Sequence, residues 1–158
     1  MSTRPVPYDA IDTIRCLGYS ERQASFIYRV AVHSGYFLRR QFNFAVQRRR
    51  GWIAANFLAK AKRAGHVREI QCAPSRLLYQ LCAKQIYNIV GQKNSPNRRA
   101  KSPREIRRRL IMLDYVLTHL GKQEFLETDA SLRQFFAQFR VKDDVLASAN
   151  KFGELLPV

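Results

Sequence analysis

Arginine is the residue type most clearly placed for chemistry in this chain. Arg48, Arg49 and Arg50 stand in a row ahead of Gly51, and the helix-patterned stretch after them carries Trp52, Asn56, Lys60, Lys62 and Arg63. No Asp or Glu falls between Arg39 and Arg63 to pair with them. Glycine is an acceptable N-cap, and a helix start offers unpaired backbone N–H groups to an anion. Guanidinium groups beside such a start reinforce a phosphate site.

The residue types of catalysis are not arranged in any comparable way. The sequence holds no GxxxxGK[ST], GxGxxG or HExxH. His33, His66 and His119 lie far apart, without a Cys or carboxylate at metal-ligand spacing, so neither a metal nor a cofactor is expected. His66, at the start of a strand-length segment, is positioned to touch phosphate. Asp143 and Asp144, the adjacent carboxylate pair, sit in a polar segment that does not support a two-metal centre. Cys16, Cys72 and Cys82 form no CxxC pair and fit neither a disulfide framework nor a zinc ribbon. Cys72 and Cys82 can approach each other, but free thiols in a reducing cytosol are the expectation. Binding, not enzyme catalysis, is therefore expected.

The charge points the same way. The 158 residues carry 28 Lys or Arg against 12 Asp or Glu, a net charge of +16. Like charges repel in a compact body, so this excess calls for a polyanionic partner or an acidic surface. It is also one-sided: residues 1–110 hold 23 basic against 5 acidic residues, and residues 111–158 hold 5 against 7. Hydrophobic residues at 46% and aromatics at 11% belong to a folded chain, long enough for one domain or for one domain plus an appendage. The first ten residues, MSTRPVPYDA, have no apolar signal core, and no stretch reaches the roughly 18 to 20 apolar residues of a membrane span. A cytoplasmic protein is expected.

The elements that must position the arginines can be read from caps and periodicity. A short helix is predicted from Asp9 to Leu17, closed by Gly18. Ser20-Glu21-Arg22-Gln23 has the form of a capping box, so a helix starts at Glu21 and runs to about Val32. Leu38 to Phe44 makes a further helix, burying Leu38 and Phe42 and leaving Arg39, Arg40 and Gln41 outside. From Gly51 to Ala64, Ile53, Phe57 and Ala61 recur at i, i+4 and i+8 with Ala54 and Leu58 beside them, an apolar face at helical period. Gly65 follows three residues that include Lys62 and Arg63, where a left-handed stop is easiest. His66 to Gln71 and Leu77 to Cys82 are strand-length, joined by a turn at 72–76, with Leu77, Tyr79 and Leu81 alternating onto one face.

Helix, turn, helix and basic hairpin in this order resemble a winged helix-turn-helix DNA-binding domain, of the kind in MarR-type regulators and plasmid replication-relaxation proteins. The turn itself carries no small residue. The resemblance covers residues 10–91 and implies a mainly α fold with a small β-hairpin wing (α+β), followed by a helical extension. It also implies a bacterial or mobile-element protein that binds double-stranded DNA, as a transcription regulator or as a plasmid replication or transfer accessory. The helix 51–64 then lies in the major groove, with Asn56 offering paired contacts to adenine and Arg50 reaching guanine. Trp52 either packs into the domain or stands on the sugar-phosphate edge. Arg39, Arg40, Arg48, Arg49, Lys60, Lys62 and Arg63 are backbone-positioning candidates, and Arg68 and Arg76, the latter at the hairpin tip, place the wing.

Beyond the hairpin, Ala83 to Val90 reads as a short helix and residues 92–102 as a linker rich in Lys93, Arg98, Arg99 and Lys101. The linker is either solvated or a basic arm along DNA. Residues 103–158 form the helical extension. Ser102, Pro103 and Glu105 start a helix from Pro103 to Leu120, in which Ile106, Leu110, Leu113, Leu117 and Leu120 make an a/d seam. That seam packs on the preceding domain or pairs with its copy in a homodimer. Arg104, Arg107 and Arg108 crowd its first turns against the helix dipole, so a nearby anion would help there. A strand at 123–127 and a helix from about Asp129 to Arg140 with Leu132, Phe135, Phe136 and Phe139 on one stripe complete the reading. The rival readings are an RNA-binding protein and a winged-helix module for protein contact within a larger complex.

Overall fold

The computed structural model describes residues 7–48 and 50–120 of the chain, together with Gln134. The expected strand at 123–127, the Phe-striped helix and Arg49 lie outside the described residues. In order come α1 (Pro7–Arg15), α2 (Glu21–His33), β1 (Tyr36–Phe37), α3 (Arg39–Val46), α4 (Gly51–Arg63), β2 (Val67–Ala73), β3 (Arg76–Leu81), α5 (Lys84–Ile89), a 3-10 turn at Pro96–Arg98, and α6 (Pro103–His119). This is a mainly α, α+β fold whose small antiparallel sheet has the order β1-β3-β2 and whose β2–β3 hairpin forms a wing. No helix among the described residues is long and apolar enough to cross a membrane.

The local signals act as their chemistry requires. Ser20 Oγ accepts the Gln23 N–H at 3.3 Å while Gln23 Oε1 accepts the Ser20 N–H at 3.1 Å, a reciprocal capping box that starts α2. At α3 the cap position is Leu38, which has no side-chain acceptor, and Gln41 reaches back instead, its Oε1 accepting the Leu38 N–H at 2.9 Å. Gln47 then turns the chain toward α4 in the left-handed region, φ 54 and ψ 40, without a glycine. α4 stops at Ala64, and Gly65 follows at φ +73.

Four phenylalanines join the elements at the centre. Phe42 of α3 stacks on Phe57 of α4 with centroids 4.2 Å apart and planes 6° from parallel. Phe26 of α2 meets Phe42 edge-on at 5.3 Å and Phe37 of β1 edge-on at 5.2 Å. The strand β1 is an element that the sequence reading missed: two residues are too few to show alternation. Its pairing with β3, Tyr36 opposite Gln80 and Phe37 opposite Tyr79, widens the hairpin into a sheet.

The hairpin also differs in detail from expectation. β2 runs on to Ala73 and β3 begins at Arg76, so only Pro74 and Ser75 turn, with an irregularity between Gln71 and Ala73. Leu77 is exposed, whereas Leu78, Tyr79, Gln80 and Leu81 are all buried, because both faces of β3 are covered near its base. Cys72 and Cys82 fall at opposite ends of the hairpin and are free thiols.

The cover on the second face is the segment expected to be a linker. Asn97 is buried, and its Nδ2 donates to the Ala31 and Val32 carbonyls at 2.9 and 3.0 Å, satisfying the end of α2. Gln80 Nε2 donates to the Arg98 carbonyl at 3.0 Å, and the Tyr36 hydroxyl donates to the Arg99 carbonyl at 3.2 Å and accepts the Lys101 N–H at 3.0 Å. Residues 92–102 are thus a strap hydrogen-bonded across the sheet, neither a solvated linker nor a free arm. Composition advertised solvation and could not show these long-range partners.

The strap delivers α6 back onto the fold, so the compact unit runs to Leu120 with no boundary at Pro103. α6 packs against α2, α3 and β1. Of the a/d seam, Leu113 and Leu117 are in the core, Ile106 and Leu110 are half-buried, and Leu120 is exposed. The middle of the seam, Leu113 and Leu117, is therefore an internal packing surface. The apolar side chains that α6 leaves exposed are Ile111, Met112, Tyr115 and Leu120.

Gly35 sits where the strap crosses, at φ +82, and a Cβ there would lie 2.1 Å from the Asn97 carbonyl oxygen. Gly35→Ala should therefore combine left-handed strain with overpacking and destabilise by about 2–4 kcal/mol, read as a shift in denaturation midpoint. A second expectation concerns pH. His66 is buried with its Nδ1 2.7 Å from the Tyr19 hydroxyl, and burial lowers its pKa below the ordinary 6.5 against a raising hydrogen bond with Gln85. The fold then favours the neutral ring, so this contribution is complete above about pH 6.5 and is lost as pH falls through the lowered folded value. Stability should decline from about pH 7 toward pH 5, and His66→Gln should flatten that part of the profile.

Candidate nucleic-acid interface

The stacking of Phe57 on Phe42 fixes which side of α4 faces out. Ala54, Phe57, Leu58 and Ala61 are buried, and Trp52, Ala55, Asn56, Ala59 and Arg63 are exposed. Asn56 thus stands exposed between two alanines, with Trp52 one turn before it on the same face. Trp52 is 60% exposed, so it does not pack into the domain. Arg50 is the residue before the helix, extended at φ −72 and ψ 121, and no acidic residue enters the first turn. Arg50, Trp52 and Asn56 therefore share one exposed face and its N-terminal edge.

The backbone-contact candidates divide sharply. The guanidinium groups of Arg48, Arg50, Arg63 and Arg76 are exposed and meet no partner among the described residues. Others are committed within the fold. Lys60 turns inward: its Nζ donates to the Gly18 carbonyl at 2.6 Å and to Gln23 Oε1 at 3.4 Å, and lies 4.9 Å from the centroid of the Tyr19 ring. Arg40 forks onto Asp114 of α6 with both bonds at 2.8 Å, and Gln41 Nε2 adds a bond to the same carboxylate at 2.9 Å. That pairing, Arg40 first, holds the Asp114 pKa below its usual value and raises that of Arg40. Lys60 and Arg40 thus have partners within the fold, although the Arg40 side chain stays exposed.

Arg39 and Lys62 are intermediate cases. Arg39 Nη2 donates to the Gly51 carbonyl at 2.6 Å, tying the start of α3 to the start of α4, yet the side chain is exposed. Lys62 pairs with Glu69 of β2 at 3.1 Å on the surface. Arg76 begins β3 opposite Ala73, one position after the tip where the sequence placed it. Arg68 is elsewhere: it bonds the Gln80 side chain on the strap side of the sheet. His66 is corrected, being buried against Tyr19 and unable to reach a phosphate.

Sequence reasoning did not foresee the gathering of Arg98, Arg99, Lys101 and Arg109 with Arg68 near Tyr36. The available signal was the basic composition of the strap and the crowding of arginines at the start of α6. No group of His, Cys, Asp or Glu able to hold a metal ion occurs among the described residues. No protein-family model matches the chain, and no curated protein or solved structure is significantly similar to it.

Proposed function

We propose that the chain is a duplex-DNA-binding protein of winged-helix type that reads bases from the outer face of α4 and anchors on the backbone through Arg48, Arg50, Arg63 and the wing residue Arg76. The observation that carries this is the exposed Asn56 between Ala55 and Ala59, edged by guanidinium groups that the fold leaves unpartnered. Nothing in the proposal calls for catalysis or a cofactor. In this reading the protein acts in the cytoplasm of a bacterium, or for a mobile element, as a transcription regulator or a plasmid replication or transfer accessory. A second reading, contact with a protein partner or a second copy, is favoured by the exposed Ile111, Met112 and Tyr115 of α6.

Selection from a random duplex library at about 150 mM salt, with single-stranded DNA and structured RNA as competitors, should return a duplex motif. On that motif, Asn56→Ala should relax preference at one base step by about 1–3 kcal/mol. Equal losses on motif and random duplex would remove α4 from the reading role. Arg48→Gln, Arg63→Gln and Arg76→Gln should each weaken all duplexes alike and lower the salt slope by about one unit. Arg40→Gln and Lys60→Gln serve as contrasts: each should lower the denaturation midpoint and leave the salt slope unchanged.

A further inference from the structure

Tyr36 lies opposite Gln80, and Gln80 opposite Arg68, so the three form one row across the sheet. The row faces the strap, away from the aromatic core. Around it the strap and α6 bring further cations: Arg98 and Arg99 accept from Gln80 and Tyr36 through their carbonyls, Lys101 donates its N–H to Tyr36, and Arg109 bonds the Asn97 side chain. Arg68 and Arg109 both act electrostatically on the Tyr36 hydroxyl, Arg98 and Arg109 on that of Tyr87, and Arg99 and Arg109 on Lys101. Five positive charges therefore surround one short stretch of sheet and strap.

The fold offers this group little neutralisation. Among the described residues, the carboxylate that bears on it is Glu105, which is bonded to Arg108 at 3.2 Å. The Nε of Arg98 is buried and has no hydrogen-bond partner there. A buried donor left unpaired is costly, and like charges so close repel, so an anion held there would relieve both. Burial, with Arg109 and Arg99 beside it, also lowers the Lys101 pKa, as expected of a cation held among cations. Arg104 and Arg107 add charge at the positive end of α6 and meet no partner among the described residues.

We propose that Arg68, Arg98, Arg99, Lys101 and Arg109 form a second anion site, on the outer face of the sheet, that takes a phosphate group. Guanidinium forks suit the oxygens of a tetrahedral phosphate, which accept several bonds at once. The site is separate from the α4 face and does not depend on what that face binds. Its phosphate is supplied either by a nucleic-acid backbone or by a free phosphoanion.

Calorimetric titration of the full chain with inorganic pyrophosphate at low salt tests this directly. The wild type should bind the probe, and Arg99→Gln/Lys101→Gln should bind it at least about tenfold more weakly. Neither of the last two side chains serves a hydrogen bond of the fold, and Arg99→Gln alone gives the same comparison should the double variant unfold. Arg99→Lys/Lys101→Arg should retain binding. Salt titrations on duplex then separate the sources: a slope lowered by about two units in Arg99→Gln/Lys101→Gln marks a backbone phosphate, and an unchanged slope with lost pyrophosphate binding marks a free phosphoanion. Pyrophosphate affinity equal in the wild type and Arg99→Gln/Lys101→Gln would overturn the proposal. So would absence of pyrophosphate binding together with an unchanged duplex slope.

Discussion

The stacked pair Phe42 and Phe57 is the contact on which the geometry of the interface depends. With planes 6° from parallel at 4.2 Å, it fixes the rotation of α4 about its own axis, because any roll would lift Phe57 off Phe42 and off the edges of Phe26 and Phe37. Aromatic pairs contribute about 0.5–1.5 kcal/mol each beyond area burial, and losing a buried ring costs about 3–5 kcal/mol. Exposed ion pairs contribute less than about 1 kcal/mol. Ring packing, not charge, therefore decides which side of α4 is presented. Arg39 on the Gly51 carbonyl and Arg22 on the Val46 carbonyl at 3.1 Å then fix where α3 hands over to α4.

Local chemistry was legible wherever cause and effect lie within one turn of helix. Ser20 with Gln23, Ser102 with Glu105, Gly65 after α4 and the apolar period of Phe57 all describe interactions between neighbours in sequence. The basic side chains that find partners within the fold do not meet that condition. Lys60 finds Gly18 and Tyr19 some forty positions earlier, and Arg40 finds Asp114 seventy-four positions later. A basic residue on a helix has the same local pattern whether its partner is water, phosphate or a distant carbonyl. Only tertiary structure separates those that are committed from those that are free.

The same limit explains the strap. Its sequence, rich in Asn, Ser, Pro, Lys and Arg, is what a solvated linker would have, yet Asn97 and Ser95 are buried. Asn97 can be buried because its polar side chain is fully bonded: its amide N–H groups to the end of α2 and its oxygen to Arg109, with its backbone N–H on Ser95 Oγ at 3.2 Å. Polarity thus indicated exposure only until the number of available donors and acceptors was known. The short strand β1 was hidden for a related reason, since Tyr36 is held by Ser34, Arg99 and Lys101 as much as by its strand partner.

These two features, the aromatic centre and the polar strap, give the sheet two different faces. Phe37, Tyr79 and Leu81 bind it to the helices through apolar contact, while Tyr36, Gln80 and Arg68 meet a strap through hydrogen bonds. Hydrogen bonds to carbonyls fix position without neutralising charge. The strap can therefore hold arginines in place at the sheet and still leave them positive. A hydrophobic cover would have buried the second face equally well and carried no such charge. The polar solution is the costlier one to satisfy, and it is the one that leaves basic side chains on the strap face of the sheet.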